Sequence, residues 1–230
     1  MSASPLTADL FEGAPDLRPA QEAIAEGAVL LRGFALPVEA DVIAALRVIA
    51  GSAPFRHMMT PGGHQMSVAM TNCGRVGWVT DRTGYRYDIN DPDAGTPWPP
   101  MPPVFRELAD QAASRAGFSG FAPDACLINR YQPGARMSLH QDKDELDLAA
   151  PIVSVSLGLP AIFLFGGLKR SDRPNRFRLQ HGDIAVWGGP ARLAFHGVAP
   201  LAEGGPYVIA IEVPRDSEVS PWTFIHPAKP

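Results

Sequence analysis

Cysteine is scarce in this sequence: 230 residues carry only Cys73 and Cys126. Two thiols cannot form a disulfide framework, and so few fit a reducing compartment, so a cytoplasmic protein is expected. Long hydrophobic runs are lacking too. No stretch of about 18 apolar residues occurs, which argues against a transmembrane helix and a membrane partner. The opening MSASPLTADLFEGAPDL has neither a basic segment nor a continuous apolar one, and predicts no signal peptide. Charge of either sign is modest, with 20 Lys and Arg against 24 Asp and Glu and a net charge of −4. Taken alone, that balance argues mildly against nucleic acid as a partner. A hydrophobic content of 46% excludes an intrinsically disordered chain. The length suits one compact domain, expected to be a monomer.

Proline and glycine are plentiful, at 24 and 22 residues. Such a chain holds few long helices and many turns, which favours a β-rich domain. Residues 28–31 (AVLL) read as a strand. Val38, Val42, Ile43, Leu46 and Ile49 then recur at helical spacing, with Gly51 as the expected C-cap. Residues 52–90 read as irregular. Six prolines between Pro92 and Pro103 predict a rigid extended connector, followed by a helix over 104–116 stopped by Gly117. Beyond it come short segments at 127–131, 137–140, 151–157, 161–165, 177–180, 184–187, 193–196 and 207–213. Strands this short and frequent predict a sandwich, jelly roll or barrel.

His140-Gln141-Asp142 sets a histidine and a carboxylate two residues apart at a predicted strand end, where both side chains point the same way. His196 is the third candidate, on a separate strand. Two histidines and one carboxylate leave three positions open on an octahedral ion, which suits Fe(II), a bidentate organic acid and O2. The same set could hold catalytic Zn(II) in a hydrolase. A second pair, His181-Gly182-Asp183, reads better as a turn with positive φ at Gly182 and Asp183 as its cap. Lys169, Arg170, Arg173, Arg176 and Arg178 form a basic run that suits phosphate contacts. His57, His64 and His226 match no role, and both cysteines read as small packing residues.

Three long stretches carry a resemblance: TPGGHQMSVAMTNCGRVGWVTDRTGYRY (60–87), FAPDACLINRYQPGARMSLHQDKDELDLAAPIVSVSLGLPAIFLFGGLKR (121–170) and HGDIAVWGGPARLAFHGV (181–198). The chain resembles the AlkB family of Fe(II)- and 2-oxoglutarate-dependent dioxygenases, almost continuously from Ala28 to Leu201. The resemblance implies a mainly β fold with flanking helices, a double-stranded β-helix (jelly roll) with an N-terminal substrate-recognition lid. Residues 1–103 would form the N-terminal extension and nucleotide-recognition lid, and 104–230 the dioxygenase core. It implies iron on His140, Asp142 and His196, with 2-oxoglutarate and O2 as co-substrates. Asn129, Arg130 and Tyr131 would contact 2-oxoglutarate. Trp78, Tyr85, Arg86 and Tyr87 would form the lid over a flipped-out base, with Asp144 facing its positive charge and Arg170 and Met70 beside it. The implied activity is repair of single-stranded or damaged double-stranded DNA, and of RNA, by oxidative removal of N-methyl groups from bases such as 1-methyladenine and 3-methylcytosine. Formaldehyde, succinate and CO2 would be released.

The resemblance ends abruptly near Gly204-Gly205. Beyond it the family carries Arg-x-Asn-x-x-x-Arg, whose first arginine pairs with the distal carboxylate of 2-oxoglutarate. This chain reads AEGGPYVIAIEVPRDSEVSPWTFIHPAKP from Ala202, with Arg215 as its one arginine and Pro214 before it. Two alternatives therefore stand beside the dioxygenase. One is a nucleic-acid binding protein of the same fold with impaired 2-oxoglutarate binding. The other is a dioxygenase acting on a small molecule or protein.

Overall fold

A computed structural model describes residues 18–202 and 208–215. Its last eight strands are β7 (Ala125–Tyr131), β8 (Met137–His140), β9 (Ile152–Gly158), β10 (Ala161–Phe165), β11 (Asn175–Leu179), β12 (Ile184–Trp187), β13 (His196–Val198) and β14 (Val208–Val213). They divide between two antiparallel sheets, in the order β12-β9-β14-β7 in one and β11-β10-β13-β8 in the other, and the chain alternates between the sheets except at the β10–β11 hairpin. That interleaving is the jelly-roll winding expected from the sequence. The larger sheet grows at both edges. A hairpin of β1 (Gln21–Ala25) and β2 (Ala28–Leu31) adds beside β12, and β4 (Gln65–Gly74) with β3 (Arg56–Met59) adds beside β7. A separate two-stranded sheet, the hairpin of β5 (Gly77–Asp81) and β6 (Gly84–Asp88), is the segment that the sequence reading expected to be a lid, and is called the lid hairpin below.

The central strands show which face does what. Val153, Val155 and Leu157 of β9, Ile209, Ile211 and Val213 of β14 and Ile128 of β7 belong to one buried cluster. Phe105, Leu108 and Ala112 of helix α2 (Pro103–Arg115) and Val42 and Ile49 of helix α1 (Glu39–Ser52) complete it. The opposite face looks into the sandwich. Ala185, Trp187, Phe163 and Phe165 fill one end of that interior, and a large cavity bordered by Ile152 occupies the other.

Four expectations need correction. The stretch read as irregular at 52–90 contains β3, β4 and the lid hairpin. β4 is buried on both faces over most of its length, so the polar alternation that announces a half-exposed strand never appears. Gly51 lies inside α1, and the C-cap is Ala53, whose N–H donates to Ile49 O at 2.7 Å. The proline connector begins as a turn over 92–94, because Asp91 Oδ1 accepts from the backbone N–H groups of Asp93 (2.9 Å) and Ala94 (3.4 Å). The strand expected at 193–196 starts only at His196. By contrast, α2 ends before Gly117 (φ 95°) as expected. His181-Gly182-Asp183 is the expected turn, with Gly182 at φ 82° and Asp183 Oδ2 accepting from Gln180 N–H at 2.9 Å.

Candidate active site

His140 ends β8 and His196 begins β13, and the two strands pair with these residues directly opposite. A Cβ on Gly197 would lie 2.5 Å from Met137 O, so glycine there is what permits this close approach of the two strands. Asp142 Oδ1 lies 3.5 Å from His140 Nε2, and Oδ2 lies 3.3 Å from His196 Nε2. Ligand atoms of all three fall within 4.8 Å of one another, and this is the one such cluster among the described residues. Nδ1 of each histidine faces a backbone carbonyl two residues earlier, Ser138 O at 2.9 Å and Ala194 O at 3.0 Å. Donation there fixes the tautomer that leaves both Nε2 lone pairs toward Asp142, the arrangement a metal requires. His196 Nε2 is buried with no hydrogen-bond partner. An orphaned acceptor between a carboxylate and a second imidazole fits a cation.

The charges are strongly coupled. Burial works against ionisation of Asp142, but His196 and His140 outweigh it and hold the carboxyl well below its ordinary range. Burial likewise opposes the protonated form of His140, yet the Asp142 hydrogen bond and charge raise it to about 9. A divalent ion would replace those protons as the positive partner.

One wall of the cavity comes from β7 and β14. Register places Val208, Ala210 and Glu212 opposite Tyr131, Asn129 and Leu127. Asn129 and Tyr131 are buried, at 0% and 1% exposure. Asn129 Nδ2 donates to Glu212 Oε2 at 3.1 Å, while Asn129 Oδ1 is buried without a partner. Burial first, then the Asp142 charge, pushes Glu212 up to about 7. Burial, with the charges of Glu212 and Asp142, raises Tyr131 well above its ordinary value. Arg130 does not join them. It faces the other side of β7, with its guanidinium 4.6 Å from the centre of the Phe55 ring.

The cavity holds about 1130 Å³, with Met70 and His140 within and the lid at its mouth. Asn72 clamps the lid's first strand through two 3.0 Å bonds with the backbone of Trp78. Trp78 stacks on Tyr85 at 5.7 Å and 22°, and its Nε1–H donates to Asp144 at 3.2 Å. Tyr87 is engaged differently: its hydroxyl donates to Glu145 Oε1 at 2.8 Å. Glu145 Oε2 accepts from Arg192 Nη2 at 3.1 Å, and Arg192 Nη1 donates to the carbonyl of Asp142 at 2.6 Å. Lid hairpin and ligand loop are thus joined by one chain of bonds, buried at its centre between Arg192 and Glu145. Arg170 lines the mouth and donates to Leu139 O at 2.9 Å.

Arg86 is not brought to the cavity. Alternation puts it on the opposite face of β6 from Tyr85 and Tyr87, where it pairs with Asp81 at 2.9 Å. Of the basic run, Arg170 alone lines the cavity, while Arg176 and Arg178 lie exposed on edge strand β11. Arg215 pairs with Asp147 at 3.7 Å. Asp183 is taken by Arg32, Gly33 and Gln180, so it joins no metal cluster with His181, and His226 lies outside the described residues. The sequence reading missed Glu145, Arg192 and Glu212. An isolated arginine four residues before His196 was the available signal for Arg192. For Glu212 it was an acid at an alternate position of the apolar run VIAIEV.

Residues 27–218 match the family described as the 2OG-Fe(II) oxygenase superfamily. The alpha-ketoglutarate-dependent dioxygenase AlkB of Escherichia coli (strain K12) is 58% identical over 196 residues, covering 85% of this chain and 89% of that protein. The nucleic acid dioxygenase ALKBH1 of Homo sapiens is 34% identical over 159 residues, 65% of this chain and 41% of its own length. Among solved structures, that of OsALKBH1 superposes with a TM-score of 0.74 at 26% identity, over 85% of this chain and 99% of that one. The chain belongs to the AlkB family of the 2OG-Fe(II) oxygenase superfamily.

Proposed function

We infer that this protein is a nucleic-acid repair dioxygenase that removes N-methyl groups from bases such as 1-methyladenine and 3-methylcytosine, favouring single strands. The observation that carries this is the His140–Asp142–His196 cluster in one cavity with the stacked Trp78 and Tyr85 rings and the Asp144 carboxylate that Trp78 contacts. His140, Asp142 and His196 would hold Fe(II), which when bound with 2-oxoglutarate supplies the oxidation of a carbon–hydrogen bond by O2. The chain's own part is placement. Trp78 and Tyr85 present ring faces on which a flipped base can stack. Asp144 favours the positive charge of an N-methylated base, which an undamaged base lacks. Met70 closes the pocket wall, and Arg170 at the mouth suits a phosphate. Among the described residues no helix is long and apolar enough to cross a membrane, and our reading is of a monomer acting in the cytoplasm on DNA or RNA.

The test is formaldehyde release from a 1-methyladenine oligonucleotide with Fe(II) and 2-oxoglutarate. His140→Ala should abolish it, and an unmethylated oligonucleotide should give none. A second reading is favoured by one observation, Glu212 in the cavity: a protein that binds damaged strands but turns over 2-oxoglutarate poorly. Oligonucleotide binding without formaldehyde release would select it.

A further inference from the structure

The co-substrate implied by the family carries a carboxylate at each end, and the metal accounts for only one. Among the described residues, the cavity wall offers the other end little. Its cations, Arg136, Lys143 and Arg170, are all exposed side chains. Deeper, β14 presents Glu212, held by Asn129 Nδ2 at 3.1 Å. The neighbouring Asn129 Oδ1 is a buried acceptor without a partner. Glu212 on the cavity wall, with a buried acceptor rather than a donor behind it, invites a hydrogen-bond donor and repels an anion.

Strand register puts Glu212 there. Ile209, Ile211 and Val213 must face the helices, so Val208, Ala210 and Glu212 must face the cavity. A shift by one residue would bury the acid in the apolar core and expose three large side chains to the cavity.

We propose that Glu212 makes this cavity select against a 2-oxo acid with a second carboxylate and favour one of similar length whose far end is neutral or donates hydrogen bonds. The proposal rests on the dioxygenase reading, since that reading supplies the 2-oxo acid. It assigns the weakness to one side chain, not to the altered tail in general. Removing a like charge from a partly desolvated site is worth about ten-fold or more in affinity.

The experiment is calorimetric titration at pH 8 of the full-length chain loaded with Mn(II), comparing 2-oxoglutarate with 2-oxopentanoate, which has the same carbon count and no second carboxylate. The wild type should bind 2-oxoglutarate no tighter than 2-oxopentanoate. Glu212→Gln, and Glu212→Ala as a second variant, should move the affinity ratio at least about ten-fold toward 2-oxoglutarate. A wild type that prefers 2-oxoglutarate, or a ratio unmoved by both substitutions, would overturn the proposal alone. If the metal-loaded wild type and both variants bound neither acid, the dioxygenase reading would fall, and the proposal with it.

Discussion

The side chains of Arg192 and Glu145 are 3% and 5% exposed, and each spends its hydrogen bonds on a different part of the site. Arg192 holds the carbonyls of Ala150 (3.0 Å) and Asp142 (2.6 Å), while Glu145 holds the Tyr87 hydroxyl. Removing one partner of a buried ion pair leaves the other charged and desolvated, which costs about 3–5 kcal/mol. Arg192→Met should lose that much in urea denaturation, and adding Glu145→Gln should recover part of it. The lid residues divide the same way by contact. Trp78→Ala should weaken binding of a methylated oligonucleotide by about 1–3 kcal/mol, the usual loss for one base stack. Arg86→Ala should leave that binding within experimental error, since Arg86 serves the Asp81 turn; equal losses from both would refute this division. Trp78, Tyr85, Arg86 and Asp144 were assigned to the site through the resemblance to the family, because an aromatic pair in a loop is by itself usually ordinary packing. The two-residue period of β6, in a stretch that had not been read as a strand, is what turns Arg86 away.

Elements show the same contrast between local and long-range causes. The turn at 92–94 joins lid to helix and depends on Asp91, which is buried beside Arg56 at 2.7 Å. Burial alone would raise the Asp91 carboxyl, but Arg56 and the Asp93 and Ala94 N–H groups outweigh it and lower it below 3.8. A carboxyl lowered on folding stabilises fully above its unfolded value and less as pH falls through the folded one. The gap in melting temperature between wild type and Asp91→Asn should therefore be largest at neutral pH and shrink below about pH 4. A gap independent of pH would show that the carboxylate's charge is not what holds the turn. Helix α2 was legible from its apolar spacing and Gly117. β4 was not, because its neighbours bury both faces and erase the alternation. β14 was legible as a strand, while the acid it delivers to the cavity was not.

At the scale of the molecule, the metal cluster joins a strand pair, β8 and β13, to the loop that carries Asp142. A ligand that binds only the folded chain stabilises it by about 2.7 kcal/mol at 100 times its Kd. For a chain of this size that raises the melting temperature by about 5–10 °C. Mn(II) should produce this shift, a chelator should reverse it, and His196→Ala should abolish it; a shift that survives the substitution would place the metal elsewhere. The jelly roll in particular and the aromatic lid were expected through the resemblance to the family; by itself the sequence determined a sandwich, jelly roll or barrel, both helices and the His-x-Asp half of the metal cluster. Each of these depends on residues close together in the chain, where period, spacing and turn chemistry act. Only the tertiary structure decided that Arg192 grips the Asp142 carbonyl, that Tyr87 is committed to Glu145, and that Glu212 enters the cavity opposite Leu127 and beside Asn129. Those contacts span 50, 58 and more than 80 positions. They follow from how strands from distant segments align, which no local pattern encodes, because a register moved by one residue leaves composition and periodicity unchanged while turning every side chain to the other face.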